Sequence, residues 1–424
     1  MSQLFEINAG RRTAIKTLGG LAAGALLPMP WVHAANNTIK IGYVSPQTGP
    51  LAVFGEPDAF TLTEMKKTLA GGIKVGGKSY AVEIVVKDSQ SNSNRAAEAA
   101  SELILKDKVN IVVAGSTPAT TNPVADQCEL NGVPCITNDT PWQPHFFGRG
   151  GDPKKGFEWT YHFFWGFDTA AEVLMNLWDS VPTNKVVGAL FSNDPDGIAA
   201  NEGLPGAFKS RGFTVANQGI YTMTSNDFSA QIGALRKANA EIVVGLFTPP
   251  AFATFWTQCG QQGFRPKVAS PIKAMLFPSA VETLGARGAG LTTEVWWSPS
   301  HPFKSGLTNQ TARQICDDYT KATKRQWTQP LGFKHATLEV AIDVLKRAKA
   351  LTPAAIRDAI VATNYQSLVG PIQWKTGPVK NVCLTPLVGG QWKPGKQFKY
   401  DLHIVNNLTA KNIPLGSKME PLKS

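Results

Sequence analysis

The sequence lacks long apolar runs, apart from one near its start, and it lacks blocks of like charge. No segment after residue 34 is apolar for long enough to cross a bilayer. The net charge is +11, but the basic residues are scattered and form no patch or helix of the kind that binds nucleic acid. With 424 residues, of which 43% are hydrophobic, the chain can bury two sizeable cores.

Cysteine and histidine are scarce, with five and six residues respectively. No C-x-x-C pair occurs and the histidines follow no metal-ligand spacing, so we expect neither a metal site nor a cofactor. An odd number of cysteines leaves at least one without a partner within a monomer. Cys128 and Cys135 fall near the end of one predicted helix and the start of the next strand, so a local disulfide between them is one option. Spacing alone does not fix the pairing.

Motifs of enzymes are missing or misplaced. No G-x-S-x-G elbow occurs. Residues 72–79 match the letters of a phosphate-binding loop, but a predicted helix precedes them and a strand follows, which is the reverse of the required order. We therefore interpret Gly76-Gly77 as a turn. Asp194 and Asp196 could form a paired-carboxylate site, and the alternative is a polar turn that caps the next helix.

The N-terminus has the pattern of an export signal. Arg11-Arg12 precede an apolar run from Leu18 to Leu27, and Ala34 ends a small-residue cleavage site. The arginine pair is typical of a twin-arginine signal, with an ordinary signal or an N-terminal anchor as alternatives. We expect residues 1–34 to be a signal peptide that is removed, which leaves the mature chain outside the cytoplasm.

The rest of the chain alternates between strands and helices in the order typical of α/β proteins. One series precedes and another follows a Gly-, Pro- and aromatic-rich loop at residues 138–158, and each predicts a parallel sheet with helices on both faces. We therefore predict two doubly wound parallel-sheet lobes joined by a multi-crossing hinge, with a cleft between them. The predicted first lobe is residues 35–158 plus 293–365, and the second is residues 159–292 plus 366–424.

The most informative stretch is residues 111–121. Ile111–Ala114 is a wholly apolar strand, Gly115 ends it, and Thr117 and Pro118 are typical of a helix N-terminus. Ligands of open α/β sheets bind at the carboxyl ends of strands, and the free N–H groups of a helix start attract anions. Ser116 and Thr117 are therefore candidates for holding a small anion. The alternative is that they only cap the helix.

Several segments resemble those of branched-chain-amino-acid-type (type I) periplasmic solute-binding proteins of ABC transporters. The first reads IKIGYVSPQTGPLAVFGE, and together they occur in the family's order across the chain, at residues 39–56, 86–91, 114–117, 132–137, 193–197 and 227–231. The resemblance implies the type I periplasmic binding protein fold, in which two hinged lobes close on a small solute. It also implies delivery of that solute to a membrane permease.

By position, the resemblance implies a ligand shell drawn from both lobes. Its members are Phe54, Ser116, Thr117, Thr140, Trp142, Asp196, Phe247, Lys273 and Trp297. In the family, the carboxylate of an amino acid is held by hydroxyls and backbone amides at the positions that match Ser116 and Thr117.

Lys273 departs from the pattern of family members that bind amino acids. Those members place an acidic residue in the segment that matches residues 271–273, where it pairs with the ligand ammonium, whereas this segment has Lys273 and no acid. A lysine beside an ammonium in a closed cleft would cost about several kcal/mol. We therefore expect an aromatic or aliphatic acid rather than an ordinary α-amino acid.

The predicted function is thus capture of a small carboxylate by an exported monomer that is not an enzyme. Its partners would be the solute and an inner-membrane permease, without cofactor, metal or nucleic acid. Two alternatives stay open. One is an exported two-lobe hydrolase or lyase that uses Asp194, Asp196 and His145 as acid and base groups. The other is a ligand-sensing partner of a membrane receptor.

Overall fold

The first part of the chain folds as the alternation predicts. The computed structural model describes residues 37–423, so the predicted signal at residues 1–34 lies outside the described residues. The elements up to the first crossing between lobes are β1 (Thr38–Ser45), α1 (Asp58–Thr68), β2 (Ile73–Val75), β3 (Lys78–Asp88), α2 (Ser93–Leu105), β4 (Ile111–Gly115), α3 (Pro118–Asn131), β5 (Cys135–Asn138), α4 (Trp142–Phe146) and β6 (Thr160–Phe163).

The second series of strands and helices builds the second lobe. Its elements are α5 (Phe167–Asp179), β7 (Val186–Ser192), α6 (Pro195–Ser210), β8 (Thr214–Tyr221), α7 (Ser229–Lys237), β9 (Ile242–Leu246), α8 (Pro249–Gln261), β10 (Val268–Ser270) and α9 (Pro278–Thr283). The first turn of α6 shows why helices begin where they do. Asp194 accepts a hydrogen bond from the Gly197 N–H at 2.9 Å, and Pro195 occupies the first helical position.

The last part of the chain contains three helices and several short strands. Its elements are β11 (Thr292–Val295), α10 (Ala312–Thr323), α11 (Gln329–Arg347), α12 (Pro353–Val361), β12 (Tyr365–Ser367), β13 (Gly370–Ile372), β14 (Val382–Cys383), β15 (Val388–Pro394) and β16 (Tyr400–Asn406). Helix α11 is buried along almost its whole length. None of the helices between residues 37 and 423 is both long and apolar enough to cross a membrane.

Two largely parallel sheets form the lobes. The first has the order β14-β6-β5-β4-β1-β3-β2, in which only β2 runs antiparallel to its neighbour. The second has the order β10-β9-β7-β8 and is parallel throughout. All five residues of β4 are buried, as expected of a central strand that is covered on both faces.

The sheets differ from the predicted lobes at two places. β6 was expected to open the second lobe, but it pairs in parallel with β5 and belongs to the first sheet, as does β14 near the C-terminus. β11 was expected to return to the first lobe, but it joins β15 and β16 in an antiparallel sheet on which α5 packs. The chain therefore crosses between lobes after β6, one strand later than the loop at residues 138–158 suggested.

Two smaller predictions can be checked directly. The segment with phosphate-loop letters is a hairpin between β2 and β3, with Gly76 and Gly77 at φ values of 54° and 83° in its turn. These positive φ values suit glycine, so the turn interpretation is confirmed. Cys128 and Cys135 are buried free thiols, so the disulfide considered for them is not formed.

Candidate functional site

A small cavity lies between the two lobes and is lined by residues from both. Its volume is about 30 Å³. The first lobe and the crossing after β6 contribute Phe54, Ser116, Thr117, Asp139, Pro141, Phe164 and Trp165. The second lobe and the segment after β10 and β11 contribute Asp196, Leu246, Ile272, Lys273, Leu276, Glu294 and Trp296. The start of helix α3 thus faces the second lobe across the cavity.

Hydrogen bonds from neighbouring residues fix the turn between β4 and α3 and leave the Ser116 hydroxyl unpaired among the described residues. The Ser116 N–H donates to the Thr121 hydroxyl at 3.1 Å, and the Lys334 ammonium donates to the Gly115 carbonyl. A side chain at Gly115 would collide with Asn138, so glycine is required there. Thr117 is the N-cap residue but its side chain makes no capping hydrogen bond. The Ser116 hydroxyl is buried without a hydrogen-bond partner among the described residues.

Lys273 is not a free cation. Its ammonium lies 2.7 Å from Asp194 Oδ2 and 3.0 Å from Asp196 Oδ2, and all three side chains are largely buried. Burial disfavours the charged form of Lys273, but the two carboxylates outweigh that effect and raise its pKa above the ordinary value. Residues 271–273 contain no acid, as the sequence shows, but the start of α6 supplies two carboxylates that neutralise Lys273, so this lysine does not by itself oppose a ligand ammonium.

Asp194 and Asp196 take different roles around this lysine. Burial opposes ionisation of Asp194, but the charge of Lys273 outweighs it and lowers the pKa of that carboxyl. Burial raises the pKa of Asp196 to about 6, although Lys273 opposes the rise. Asp194 also caps α6, so the capping alternative from the sequence is confirmed for Asp194. Asp196 Oδ1 is buried without a hydrogen-bond partner among residues 37–423.

Two further carboxyl groups line the cavity and were not singled out from the sequence. Burial raises the pKa of Asp139 and that of Glu294 to about 7 each. Asp139 Oδ2 lies 3.4 Å from the Lys334 ammonium, and neither Asp139 oxygen accepts a hydrogen bond within the described part of the chain. The Glu294 carboxyl group accepts hydrogen bonds from the Thr293 hydroxyl at 2.8 Å and from the backbone N–H of Lys273 at 3.2 Å.

Two charged residues of the cavity lining, one from each lobe, have an uncommon backbone conformation. Asp139 has φ of 58° and Lys273 has φ of 67°, values that are uncommon for residues other than glycine. Both residues line the cavity, one from each lobe. Such conformations persist where the surrounding structure fixes them, and they cluster at ligand-binding positions.

Two indole N–H groups belong to the cavity walls. Trp165 and Trp296 are buried, and neither indole nitrogen has a hydrogen-bond partner among the described residues. Phe164 packs between them, with ring centroids 4.9 Å from Trp165 and 5.0 Å from Trp296. The walls therefore offer aromatic faces and unpaired donors together.

The structure brings some of the predicted ligand shell together and places the rest elsewhere. The residues that line the cavity are Phe54, Ser116, Thr117, Asp196 and Lys273. The residues that do not line it are Thr140, Trp142, Phe247 and Trp297. The lining residues Asp139, Pro141 and Trp296 each lie one position away from a predicted residue.

The four remaining residues have other surroundings. The Thr140 carbonyl accepts a hydrogen bond from His162 at 2.7 Å, and Trp142 packs against Phe146 and Phe147. Phe247 belongs to an aromatic cluster within the second lobe, formed with Tyr221, Phe228, Phe252 and Phe255. The Trp297 indole donates to the Leu368 carbonyl at 3.2 Å.

His145 does not join the carboxylates of the cavity. Its ring stacks on that of His162 with centroids 4.1 Å apart, and its Nδ1 lies 2.9 Å from Asn122 Oδ1. Burial lowers the pKa of His145 well below its ordinary value. The acid-base set of the hydrolase alternative is therefore not assembled. Within residues 37–423, no group of three or more acidic, histidine or cysteine side chains is placed to hold a metal ion.

Comparison with known proteins identifies the family. A family profile described as periplasmic binding protein matches residues 38–396. The chain belongs to this family. The match confirms the family predicted from the sequence. Its description is that of a binding protein rather than an enzyme.

One curated relative and several solved structures are similar to the chain. A Leu/Ile/Val-binding protein homolog 3 from Brucella melitensis is 28% identical over 232 residues, which is 54% of this chain and 59% of the relative. The match therefore spans little more than half the length of that relative.

Solved structures share the fold at low identity. A leucine-binding protein LivK from Thermotoga maritima has a TM-score of 0.70 at 20% identity, covering 87% of this chain and 99% of that one. A solute-binding protein from Rhodopseudomonas palustris HaA2, in complex with p-hydroxybenzoic acid, has a TM-score of 0.72 at 15% identity, covering 88% and 98%. These likenesses confirm the two-lobe type I fold.

Proposed function

We propose that the chain is the solute-binding protein of an ABC importer, which captures a small solute between its lobes and delivers it to a membrane permease. One observation carries the proposal. Polar atoms of both lobes converge on one small cavity between the lobes and lack partners among residues 37–423, including Ser116 Oγ and Asp196 Oδ1. Buried polar atoms are rarely left unpaired, so their arrangement supports a bound solute that supplies the missing hydrogen bonds.

The acceptor end of the solute is proposed to be a carboxylate held at the start of α3. The Ser116 hydroxyl and the helix N-terminus supply donors on one side, and the indole N–H groups of Trp165 and Trp296 supply donors on the other. The narrower hypothesis of an acid without an ammonium rested on Lys273 and on the lack of an acid in residues 271–273. Because Lys273 is paired with Asp194 and Asp196, and other carboxyl groups line the cavity, the proposal is a carboxylate-bearing solute without that restriction.

The chain is proposed to work in the periplasm as a monomer. Family membership and the signal pattern with Arg11-Arg12 and cleavage near Ala34 support this location. Closure on the solute would select the form that the permease recognises, because the solute binds the closed state better than the open one.

Recovery of the native solute tests the proposal. The chain is purified without added ligand, denatured, and the released small molecules are identified by mass spectrometry. The same molecule is then titrated into refolded chain by calorimetry. We expect one solute per chain, recovered chemically unchanged. Conversion to a product would contradict the proposal and favour the hydrolase alternative.

Transport can be separated from sensing in intact cells. Deletion of the gene should abolish uptake of the recovered solute at low concentration, and the chain supplied in trans should restore it. Normal uptake after deletion would favour the receptor-partner alternative.

A further inference from the structure

We propose that the interlobe cavity selects a solute with a net positive charge, held among Asp139, Asp196 and Glu294 and walled by aromatic rings. The inference rests on the proposed function, since it concerns the same cavity. It adds the charge of the solute and the residues that set it.

The charge balance around the cavity is the first support. The carboxyl groups of Asp139, Asp196 and Glu294 line it, and Asp194 shares the Lys273 ammonium with Asp196. The second ammonium group nearby is that of Lys334, 3.4 Å from Asp139 Oδ2. Two ammonium groups do not neutralise four carboxylates, and burial raises the pKa of Asp139, Asp196 and Glu294. A bound cation would stabilise the ionised forms of these carboxyl groups, so the cavity favours positive charge on the solute.

The unpaired acceptor atoms are the second support. Asp139 contributes two carboxylate oxygens and Asp196 contributes one, none of which accepts a hydrogen bond among residues 37–423. Both side chains are at least nine-tenths buried and line the cavity. An ammonium group offers three donors and no acceptor, so it satisfies this set, whereas a second carboxylate would not.

The existing lysines do not fill this role. The Lys273 ammonium is directed to Asp194 Oδ2 and Asp196 Oδ2, which leaves Asp196 Oδ1 unpaired. The Lys334 ammonium donates to the Gly115 carbonyl and stays 3.4 Å from Asp139. Glu294 has no lysine or arginine within ion-pair distance in the described part of the chain, since its partners are the Thr293 hydroxyl and a backbone N–H.

The aromatic walls are the third support. The cavity is lined by Phe54, Phe164, Trp165 and Trp296. The faces of aromatic rings attract cations, and the attraction strengthens when the cation is desolvated. Carboxylates combined with several aromatic faces therefore favour an organic cation over a neutral or anionic solute of the same size.

A six-carbon series tests the sign of the charge. Hexanoate, L-norleucine and L-lysine share one chain and carry a negative, a zero and a positive net charge at about pH 8. 3-Phenylpropanoate and 3-phenylpropylamine form an aromatic pair of opposite charge. Calorimetry on the purified full chain should give affinities in the order lysine, norleucine, hexanoate, and the amine should bind more tightly than the acid.

Charge-removing variants identify the residues responsible. Glu294→Gln should weaken lysine binding by about tenfold or more and leave hexanoate unchanged or tighter. The control is Glu339→Gln, because Glu339 is an equally buried glutamate whose pKa burial also raises to about 7, but it lies outside the cavity and bonds Ser305 and Leu368. A thermal melt of both variants checks that they fold. An equal loss of lysine affinity in the two variants would overturn the proposal.

The pH dependence gives a second readout that needs no variant. Ionised Asp139, Asp196 and Glu294 favour a cation, and their pKa values are raised to about 7, 6 and 7. Affinity for lysine should therefore rise between about pH 5 and about pH 8, where the charge of lysine itself is constant. Falling affinity over that interval would contradict the proposal.

The outcomes separate this inference from the function on which it rests. If hexanoate or 3-phenylpropanoate binds most tightly, the charge assignment is overturned and solute capture stands. If no probe binds, the net charge of the solute released from the denatured chain decides, a cation supporting the inference and an anion overturning it. If no solute binds or is released, solute capture itself fails, and the charge assignment fails with it.

Discussion

Two adjacent tryptophans directly after β11 have different surroundings. Trp296 lines the cavity with an unpaired indole N–H, whereas Trp297 donates to the Leu368 carbonyl at 3.2 Å and packs on Gly332 of α11. The same substitution at the two positions therefore separates binding from stability.

Trp296→Phe should weaken binding of the recovered solute by about tenfold, because a donor to the solute is lost. Trp297→Phe should leave binding unchanged and lower the free energy of unfolding by about 1–3 kcal/mol, because the Leu368 carbonyl loses its buried partner. Calorimetry and urea unfolding measure the two effects. Equal losses of affinity in both variants would show that Trp296 has no special role.

The ion pair of Lys273 makes a second prediction about single residues. Lys273→Met leaves Asp194 and Asp196 buried without their cation, so the free energy of unfolding should fall by about 3–5 kcal/mol near neutral pH. The loss should be smaller at about pH 5, where the carboxyl groups take up protons.

The control is Lys393→Met, whose partner Glu420 has a largely exposed side chain, so the change should stay within about 0.5 kcal/mol. Denaturant unfolding of both variants at the two pH values measures the change in unfolding free energy that each substitution causes. A loss at Lys273 that grows on acidification would contradict the assignment.

Single residues of the site could be predicted from the sequence only where a motif fixed them. Ser116 follows a strand and precedes a helix N-terminus, so its position at the cavity could be predicted from the sequence. The choice between Trp296 and Trp297 could not be predicted, because both residues lie just beyond β11, where the alternation of strand side chains no longer determines which side chain faces the cavity. Glu294 is a lone acid in a buried strand, and this pattern is a sequence signal for a carboxyl group at a site.

At the scale of elements, the start of α3 allows a matched pair of substitutions. Ser116 Oγ is buried without a partner among the described residues, whereas Thr121 Oγ1 accepts the Ser116 N–H at 3.1 Å. Ser116→Ala should therefore weaken solute binding with little change in stability. Thr121→Val should lower the free energy of unfolding by about 1–3 kcal/mol, because a buried N–H loses its acceptor.

Fluorescence titration and urea unfolding measure the two properties. If Ser116→Ala binds the recovered solute as tightly as the parent, the anion site at this helix start is wrong. The conservative variant Ser116→Thr retains a hydroxyl and should recover part of the affinity.

The pairing of β5 with β6 contains a buried histidine network. His162 Nδ1 lies 2.8 Å from the Thr137 hydroxyl and its Nε2 lies 2.7 Å from the Thr140 carbonyl, which makes Nε2 the donor. Burial lowers the pKa of His162 to about 3. The unfolded chain takes up a proton here below about pH 6.5 and the folded chain does not, so stability is lost as the pH falls through that range.

His162→Gln should remove this acid sensitivity. Between about pH 7.5 and pH 5, the parent should lose about 1–2 kcal/mol more unfolding free energy than the variant. Denaturant unfolding at both pH values is the measurement. An equal loss in the two proteins would contradict the neutral, buried state of His162.

The elements themselves were largely accessible from the sequence. Helix α12 was predicted residue for residue, because Thr352 caps it and Pro353 occupies its first position. The sheet to which each strand belongs was harder to predict from the sequence. β6 follows a long loop and was assigned to the second lobe, but pairing in the first sheet depends on contacts between distant residues that a local pattern does not contain.

At the scale of the whole molecule, closure of the two lobes is the proposed event that buries the solute. Cavity-lining atoms are contributed by both lobes, so an open form would return Asp139 and Asp196 to water. The solute shifts the equilibrium only by its differential affinity for the closed form. All five native cysteines are buried, so a spin-label reagent should react selectively with cysteines introduced at exposed positions.

The most direct test is a distance measurement between spin labels at Glu98→Cys on α2 and Lys209→Cys on α6, one on each lobe and both exposed. We expect a broad distance distribution for the free chain, which the recovered solute narrows to one short separation, and a need for higher solute concentration in the Ser116→Ala background. An unchanged distribution at saturating solute would contradict capture between the lobes.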